Sequence, residues 1–385
     1  MLGGGSMGKK LFIGYILAAL ALFLFSYTQV DLSLTLSRFS IYQTIQKSFQ
    51  YIGYYQRPTA TALYVGLVGI FFTLYGFTLF AVRRGKLSHV GLWRVIIALT
   101  IILVFSYPAF SYDLFNYMFD AKTILVYHKN PYLVTPLEFS GVEPWLSFMH
   151  WTHEPTNYMP FWIVLSLPAY LLGFGYFLGI MWSFKALVAG AYLVTIWFIG
   201  RILSRLDAKH SLLGMAIFAF NPLVIFESLV SGHNDVVMLA LAMIAYWLYL
   251  QRKRLPSFFA LALSIATKLM TAFLVPVFFL GWQRNWALWA MIFAFIAVGT
   301  QRELLPWYVI WLVPFYALLP RLDWMLTIGT GASLGFLFSY APFLYFGDYN
   351  PPVSTLKLWC VATPIMLSLV WIGYRLICPP NRPQV

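Results

Sequence analysis

Apolar runs long enough to cross a bilayer recur along the whole chain, with short polar breaks between them. A span needs roughly 20 mainly apolar residues, and the pattern predicts them at about 11–28, 59–82, 92–110, 178–200, 211–231 and 236–250. A short pair at 256–270 and 272–283 follows, and runs at 286–300, 304–319, 323–345 and 357–377 finish the chain. The fold class is therefore an all-α integral membrane protein, a multi-span helical bundle of about 12 spans. Residues 160–176 are apolar but short and interrupted by Pro160 and Pro168, so they read as a re-entrant or interfacial helix. No polar stretch can bury its own core, which makes residues 8–385 a single membrane domain. Residues 1–7 read as a cloning remnant with the native start at Met7 and are set aside from the fold.

Charge orients the bundle. Lys9 and Lys10 precede the first run, and Arg83, Arg84, Lys86, Arg201, Arg205, Lys209 and Arg252–Arg254 fill short loops, so both termini are expected in the cytoplasm. Composition agrees: 61% of residues are hydrophobic and 10% charged, against about a quarter charged in soluble domains. The net charge of +13 is then loop charge facing the cytoplasm, and nucleic acid is not an expected partner. Cys360 and Cys378 give no disulfide or metal framework. Of the 12 acidic residues only Asp207 and Asp323 fall on the cytoplasmic side, and His128, His150, His153 and His233 lie on the outer side. Acids scarcely influence topology, so this bias independently places the polar chemistry at the outer face.

The first large outer loop, 111–160, carries the leading candidate. Asp113 follows directly on the third span, and Asp120 lies seven residues on, which in a helix puts both carboxylates on one face. Asn116, Tyr117 and Lys122 cluster with them. Further along, His150, His153 and Glu154 are close in sequence, but their spacing is weak for a metal site and none is expected. Ser231-Gly-His-Asn-Asp235 joins two spans, and its His233, Asn234 and Asp235 suit either a tight turn or a polar ligand. Lys185, Lys268 and Arg302 are isolated cations at or within apolar runs, where charge is costly and tends to pair or to mark function. Cations beside acids at a membrane surface fit a polyprenyl phosphate: a tail for the bilayer, a phosphate for Lys and Arg, and a sugar for the polar loop. A sugar already bonded to phosphate has its leaving group in place. A carboxylate takes the proton from the attacking hydroxyl, and a cation steadies the departing phosphate.

The chain resembles the GT-C glycosyltransferases, and within them the bacterial polyprenyl-phosphomannose-dependent mannosyltransferases. The resemblance rests on an ordered set over residues 111–314: Tyr112-Asp-Leu-Phe-Asn-Tyr117, Lys129-Asn-Pro-Tyr132, Pro155-Thr-Asn-Tyr-Met-Pro160, Asn221-Pro222, Gly232-His-Asn-Asp235, Thr267-Lys268, and Arg302-Glu with Pro306-Trp-Tyr308 and Trp311. It departs at Tyr158-Met-Pro160, where relatives carry a Tyr-Gly-Pro or Pro-Pro turn. The resemblance implies that Asp113 is the general base, with Asp120 as competitor, and that Lys268 and Arg302 contact the donor phosphate. It implies that His233, Asn234 and Asp235 line a sugar or acceptor pocket, and the polar and aromatic Tyr117, Asp120, Lys122, His153, Glu154, Trp307 and Tyr308 are further candidates for it. The expected activity is transfer of a hexose, mannose first, from a polyprenyl phosphate to a glycan, glycolipid or protein acceptor. Direct displacement inverts the anomeric carbon and needs no cofactor. The expected location is a bacterial plasma membrane with the site facing outward. A transporter or lipid flippase, or a GT-C enzyme using another lipid-linked sugar, is the alternative; a transporter is disfavoured because no half-to-half repeat is visible.

Overall fold

The computed structural model describes residues 4–378. Residues 1–3 and 379–385, parts of the remnant and of the cytoplasmic C-terminus expected above, lie outside the described residues. Among the described residues the fold is all helix, with no strand. The helices are α1 (Gly4–Tyr27), α2 (Ser40–Gln50), α3 (Arg57–Arg83), α4 (His89–Val104), α5 (Asp113–Leu125), α6 (Pro160–Leu171), α7 (Phe177–Leu206), α8 (Ser211–Ala219) and α9 (Pro222–Val224). They continue with α10 (Asp235–Leu250), α11 (Arg254–Thr267), α12 (Val275–Phe279), α13 (Arg284–Gly299), α14 (Val313–Ala317), α15 (Asp323–Phe338), α16 (Tyr340–Phe346) and α17 (Val353–Ile377).

Four stretches are long and apolar enough to cross a membrane as single helices: Met7–Tyr27, α3, α7 and α17. A bent pair, Ala208–Ala219 with Pro222–Val230, qualifies together despite a 52° break. The chain is thus an integral membrane protein. Of the other runs, α10 and α13 fill the predicted 236–250 and 286–300, whereas the third run, 304–319 and 323–345 are cut short or broken into pieces. The third run, expected to reach residue 110, stops at Val104 because Tyr107-Pro108 cannot continue a helix. Its terminal acceptors go to Lys185, whose Nζ lies 2.9 Å from the Leu103 carbonyl and 2.5 Å from both the carbonyl and Oγ of Ser106. Lys185 is therefore a structural cap, not the functional cation its isolation implied.

The bend at Asn221-Pro222 is built locally and locked remotely. Pro222 excludes residue 221 from helical dihedrals, and Asn221 adopts φ −59°, ψ 119°. Its side-chain oxygen accepts from the Leu223 and Val224 amides at 2.9 and 3.4 Å, capping the new helix. Its amide donates to Tyr316 and Ser333, each at 3.0 Å. The chain then widens into a π-helical turn, Ile225–Val230, beside the next polar turn. Such bulges free backbone and side chains from regular geometry and often mark functional sites.

Aromatic residues fill the core behind this turn. Phe110 stacks on Phe226 at 5.6 Å between centroids, and Tyr64 and Phe71 close on the same ring edge-on. α15 meets α17 across Gly331 and Gly335, where a Cβ would come within 3 Å of Ser368 or of the Val361 carbonyl. Charges gather at two separated ends. Asp207 pairs with Arg321 at 3.0 Å and with His210 at 2.8 Å, beside Arg83–Asp323, beyond the C-terminus of α7. The N-terminus of the 30-residue α7, about 45 Å away by helix rise, packs its Phe177 against Phe115 of α5.

Candidate active site

At that second end α5 begins at Asp113 itself. The Asp113 amide donates to Ser111 Oγ at 3.2 Å, and the carboxylate sits in the first turn, where the helix N-terminus favours negative charge. Phe115 wedges between Tyr107, Phe148 and Phe177, so α5 is held under the outer loop. Asp113 Oδ2 lies 3.8 Å from His233 Nε2, and 18% of its side chain remains accessible. Burial raises the Asp113 pKa; His233 and Lys268 oppose the rise, and the negative charges of Asp235 and Glu227 add to it.

His233 comes from the turn joining the π-helical segment to α10. Gly232 makes that turn: its φ is +78°, which suits glycine, and a Cβ would sit 3.2 Å from Leu114 of α5 and 3.7 Å from Lys185. The turn is level with Lys185, eight residues into α7, so it lies about 12 Å below the N-terminus of that helix. The His233 ring is buried, stacks on Trp307 at 4.1 Å and 23°, and places Nδ1 3.0 Å from Glu227 Oε2. Glu227 is also buried and accepts from Tyr340 Oη at 2.9 Å. Burial disfavours the imidazolium, but Glu227 outweighs it with help from Asp113 and Asp235, so the His233 pKa is raised.

Asp235 opens α10 and is fully buried. Its Oδ1 takes Lys268 Nζ at 2.7 Å and the Trp311 indole N–H at 2.5 Å. Lys268 lies between α11 and the 3₁₀ turn Leu269–Leu274, in extended backbone, so its ammonium turns back over Tyr308 and Trp311 with a quarter of the side chain accessible. Around this cluster, buried side-chain atoms of Asn116, Ser228, Ser231, Asn234 and Asp235, and the Nε2 of His233, have no hydrogen-bond partner among the described residues. Native interiors satisfy most such atoms; their concentration here marks a place built to receive a polar group.

The structure brings together Asp113, Tyr117, His233, Asn234, Asp235, Lys268, Trp307 and Tyr308, while Asp120, Lys122, His153 and Glu154 are engaged elsewhere. Asp120 shares α5 with Asp113 but lies about 10 Å further along its axis. It is buried, accepts from Thr156 Oγ1 at 2.7 Å, and burial raises its pKa to about 7. Lys122 pairs with the buried Glu143 at 2.6 Å and sits 4.1 Å over Trp145, tying the loop to α5. Tyr117 is buried edge-on against Tyr158 and Trp162, and its hydroxyl meets the Asn234 backbone on the same side as Asp113 and Asp235. His153 and Glu154 face solvent, 3.6 Å from each other. Arg302 is exposed in the turn after α13, without an ion-pair partner among the described residues. Glu227, Tyr340 and Ser228 complete the cluster, though the sequence singled out none of them; Glu227 stands out only as an acid inside an apolar run.

An accessible carboxylate thus lies beside a buried imidazole and a lysine, in a chain of apolar helices. The chain belongs to the alpha-(1->6)-mannopyranosyltransferase family, whose N-terminal domain model matches residues 12–284, over two thirds of its length. It is a glycosyltransferase with a mannosyl-transferring role. No curated protein and no solved structure matches the chain.

Proposed function

We propose that the protein moves a mannosyl unit from a polyprenyl phosphate to an acceptor hydroxyl at the outer face of a bacterial plasma membrane. The observation that carries this reading is the convergence of accessible Asp113 with Lys268 in one cluster above a bundle of apolar helices. In the reaction the bond from the anomeric carbon to the donor phosphate oxygen breaks as the acceptor oxygen attacks from the opposite side. Asp113 receives the acceptor proton, and the lipid phosphate leaves with the electron pair, met by Lys268 and Arg302. His233, Asn234, Trp307 and Tyr308 line the sugar. Asp113 and Asp235 each face a protein cation, so the reaction is expected to proceed without a divalent metal.

The family name speaks of an α-(1→6) bond. If this chain makes that bond, the acceptor is a primary 6-hydroxyl, and a single inverting displacement requires a β-linked donor. We read the bundle as twelve crossings with both ends cytoplasmic: α7 points one way, the bent pair returns, and the helices to α17 alternate. The large loop and the α6 helix then lie on the outer side. Charge supports this reading, since the cationic loops gather at the Asp207 end and the free acids at the Asp113 end.

Reconstituted protein with radiolabelled polyprenyl-phosphate mannose and a panel of glycan and glycolipid acceptors tests it. Acceptor-dependent release of lipid phosphate is expected, and Asp113→Asn should slow it by about 10²–10⁴-fold. Release that needs no acceptor, or that Asp113→Asn leaves unchanged, overturns the reading.

A further inference from the structure

Glu227 is buried in the π-helical turn, bonded by Tyr340 from α16, and placed against the one imidazole that faces Asp113. Oε1 is held by the Tyr340 hydroxyl, while among the described residues Oε2 meets no polar group except His233 Nδ1 at 3.0 Å. The His233 amide also closes on the Glu227 carbonyl at 3.0 Å, so the two residues move as one turn. On its other edge the ring presents Nε2 to Asp113, and Trp307 covers its face. The ring therefore faces a carboxylate from each nitrogen, Glu227 at 3.0 Å and Asp113 at 3.8 Å. A buried carboxylate without a cation carries a large desolvation cost, and so does a buried imidazolium without carboxylates. A charged ring offers an N–H to both carboxylates at once, whereas a neutral ring offers one to Glu227 or to Asp113 but not to both.

We propose that Glu227, held by Tyr340, is a positioning residue that keeps His233 charged, and that His233 in turn keeps Asp113 ionised and aimed at the acceptor. The proposal rests on Asp113 being the base. The groups facing His233 are Glu227 from the π-helical turn, Asp113 from α5, Asp235 from α10 and Trp307 from the turn before α14; Lys268 faces Asp113 and Asp235 from beyond α11. Removing the Glu227 charge withdraws the strongest support for the imidazolium. Asp113 then loses one of its two nearby cations, and its protonation moves to higher pH. An opposite charge at this range shifts a carboxyl by about one unit or more.

The test is the pH profile of kcat for the reconstituted enzyme with polyprenyl-phosphate mannose and its acceptor. In Glu227→Gln the acid limb should move up by about one unit, and Glu227→Asp should bring it back toward the parent profile. His233→Gln should move the limb in the same direction, and the Glu227→Gln/His233→Gln double variant should move it no further than His233→Gln alone, because the two act in series. A limb that stays in place in both single variants, or shifts that add in the double variant, overturns the relay. If Glu227→Gln does not fold, His233→Gln and Tyr340→Phe carry the test, the latter expected to move the limb and an unmoved limb in both counting against the proposal. Asp113→Asn is run in parallel: its retention of activity defeats the base assignment, whereas an inactive Asp113→Asn beside unmoved limbs defeats the relay alone.

Discussion

Lys268 Nζ lies 2.7 Å from Asp235 Oδ1, and the same oxygen accepts the Trp311 indole N–H at 2.5 Å. The aspartate is fully buried while the lysine keeps a quarter of its side chain accessible, so one partner is fixed and the other can be shared. Lys268→Gln leaves a buried carboxylate without its cation, which costs about 3–5 kcal/mol of stability, and it should also raise the donor KM. Asp235→Asn frees the lysine and should leave the donor KM unchanged or lower it. Thermal midpoints in detergent and donor titrations check both. Equal rises in KM for the two variants would show that the pair is only structural.

Asp120 tests the choice between the two carboxylates of α5. Its pKa is raised to about 7 by burial, above the unfolded value of 3.8. The folded state then holds the proton over a window where the unfolded chain has lost it. The stabilisation from Asp120 is complete below pH 3.8 and declines as pH rises to about 7, above which it is lost. Asp120→Asn, which can still accept from Thr156, should melt higher than the parent at pH 8 and show a flatter stability profile between pH 4 and 7. It should keep most of its transfer activity. Loss of activity comparable with Asp113→Asn would move the base from Asp113 to Asp120.

Lys185 supports α4 through three acceptors on Leu103 and Ser106. Lys185→Met should lower the melting temperature and the folded yield, since hydrogen bonds to a charged group contribute about 1.5–3 kcal/mol each and the carbonyls would be left buried. Among folded molecules the donor KM should stay at the parent value. A parent-like melting curve with a raised KM would return Lys185 to the functional cations.

The helical membrane class, the polar end and much of the cluster were legible because each is written in local sequence: long apolar runs, a Gly-His-Asn-Asp turn, an Asn-Pro break. Helix lengths were not, because composition stays apolar past the point where a helix must stop. α4 ends at Val104 through a proline just downstream and a lysine 82 residues away. The heptad reading of α5 found the shared face of Asp113 and Asp120 but not the rise between them, so one meets His233 and the other Thr156. Glu227 was invisible for a related reason: its meaning comes from Tyr340, 113 residues on.

Arg302 remains the most exposed of the proposed phosphate contacts. Its neighbour Glu303 pairs with Lys357 of α17 at 2.6 Å, which ties the turn down and leaves the guanidinium without an ion-pair partner among the described residues. An arginine offers a planar fork of donors matched to phosphate oxygens, and a charge-assisted contact made only with the donor contributes about 1.5–3 kcal/mol. Arg302→Gln should therefore raise the donor KM about tenfold or more while leaving the melting temperature within a degree or so of the parent. Arg302→Lys should recover only part of the loss, because the point charge returns without the fork. Glu303→Gln is the control: it loosens the turn without touching the guanidinium, and should raise the donor KM less than Arg302→Gln does. If Arg302→Gln binds donor as the parent does, the residue is a surface cation at the membrane edge, and Lys268 alone meets the phosphate.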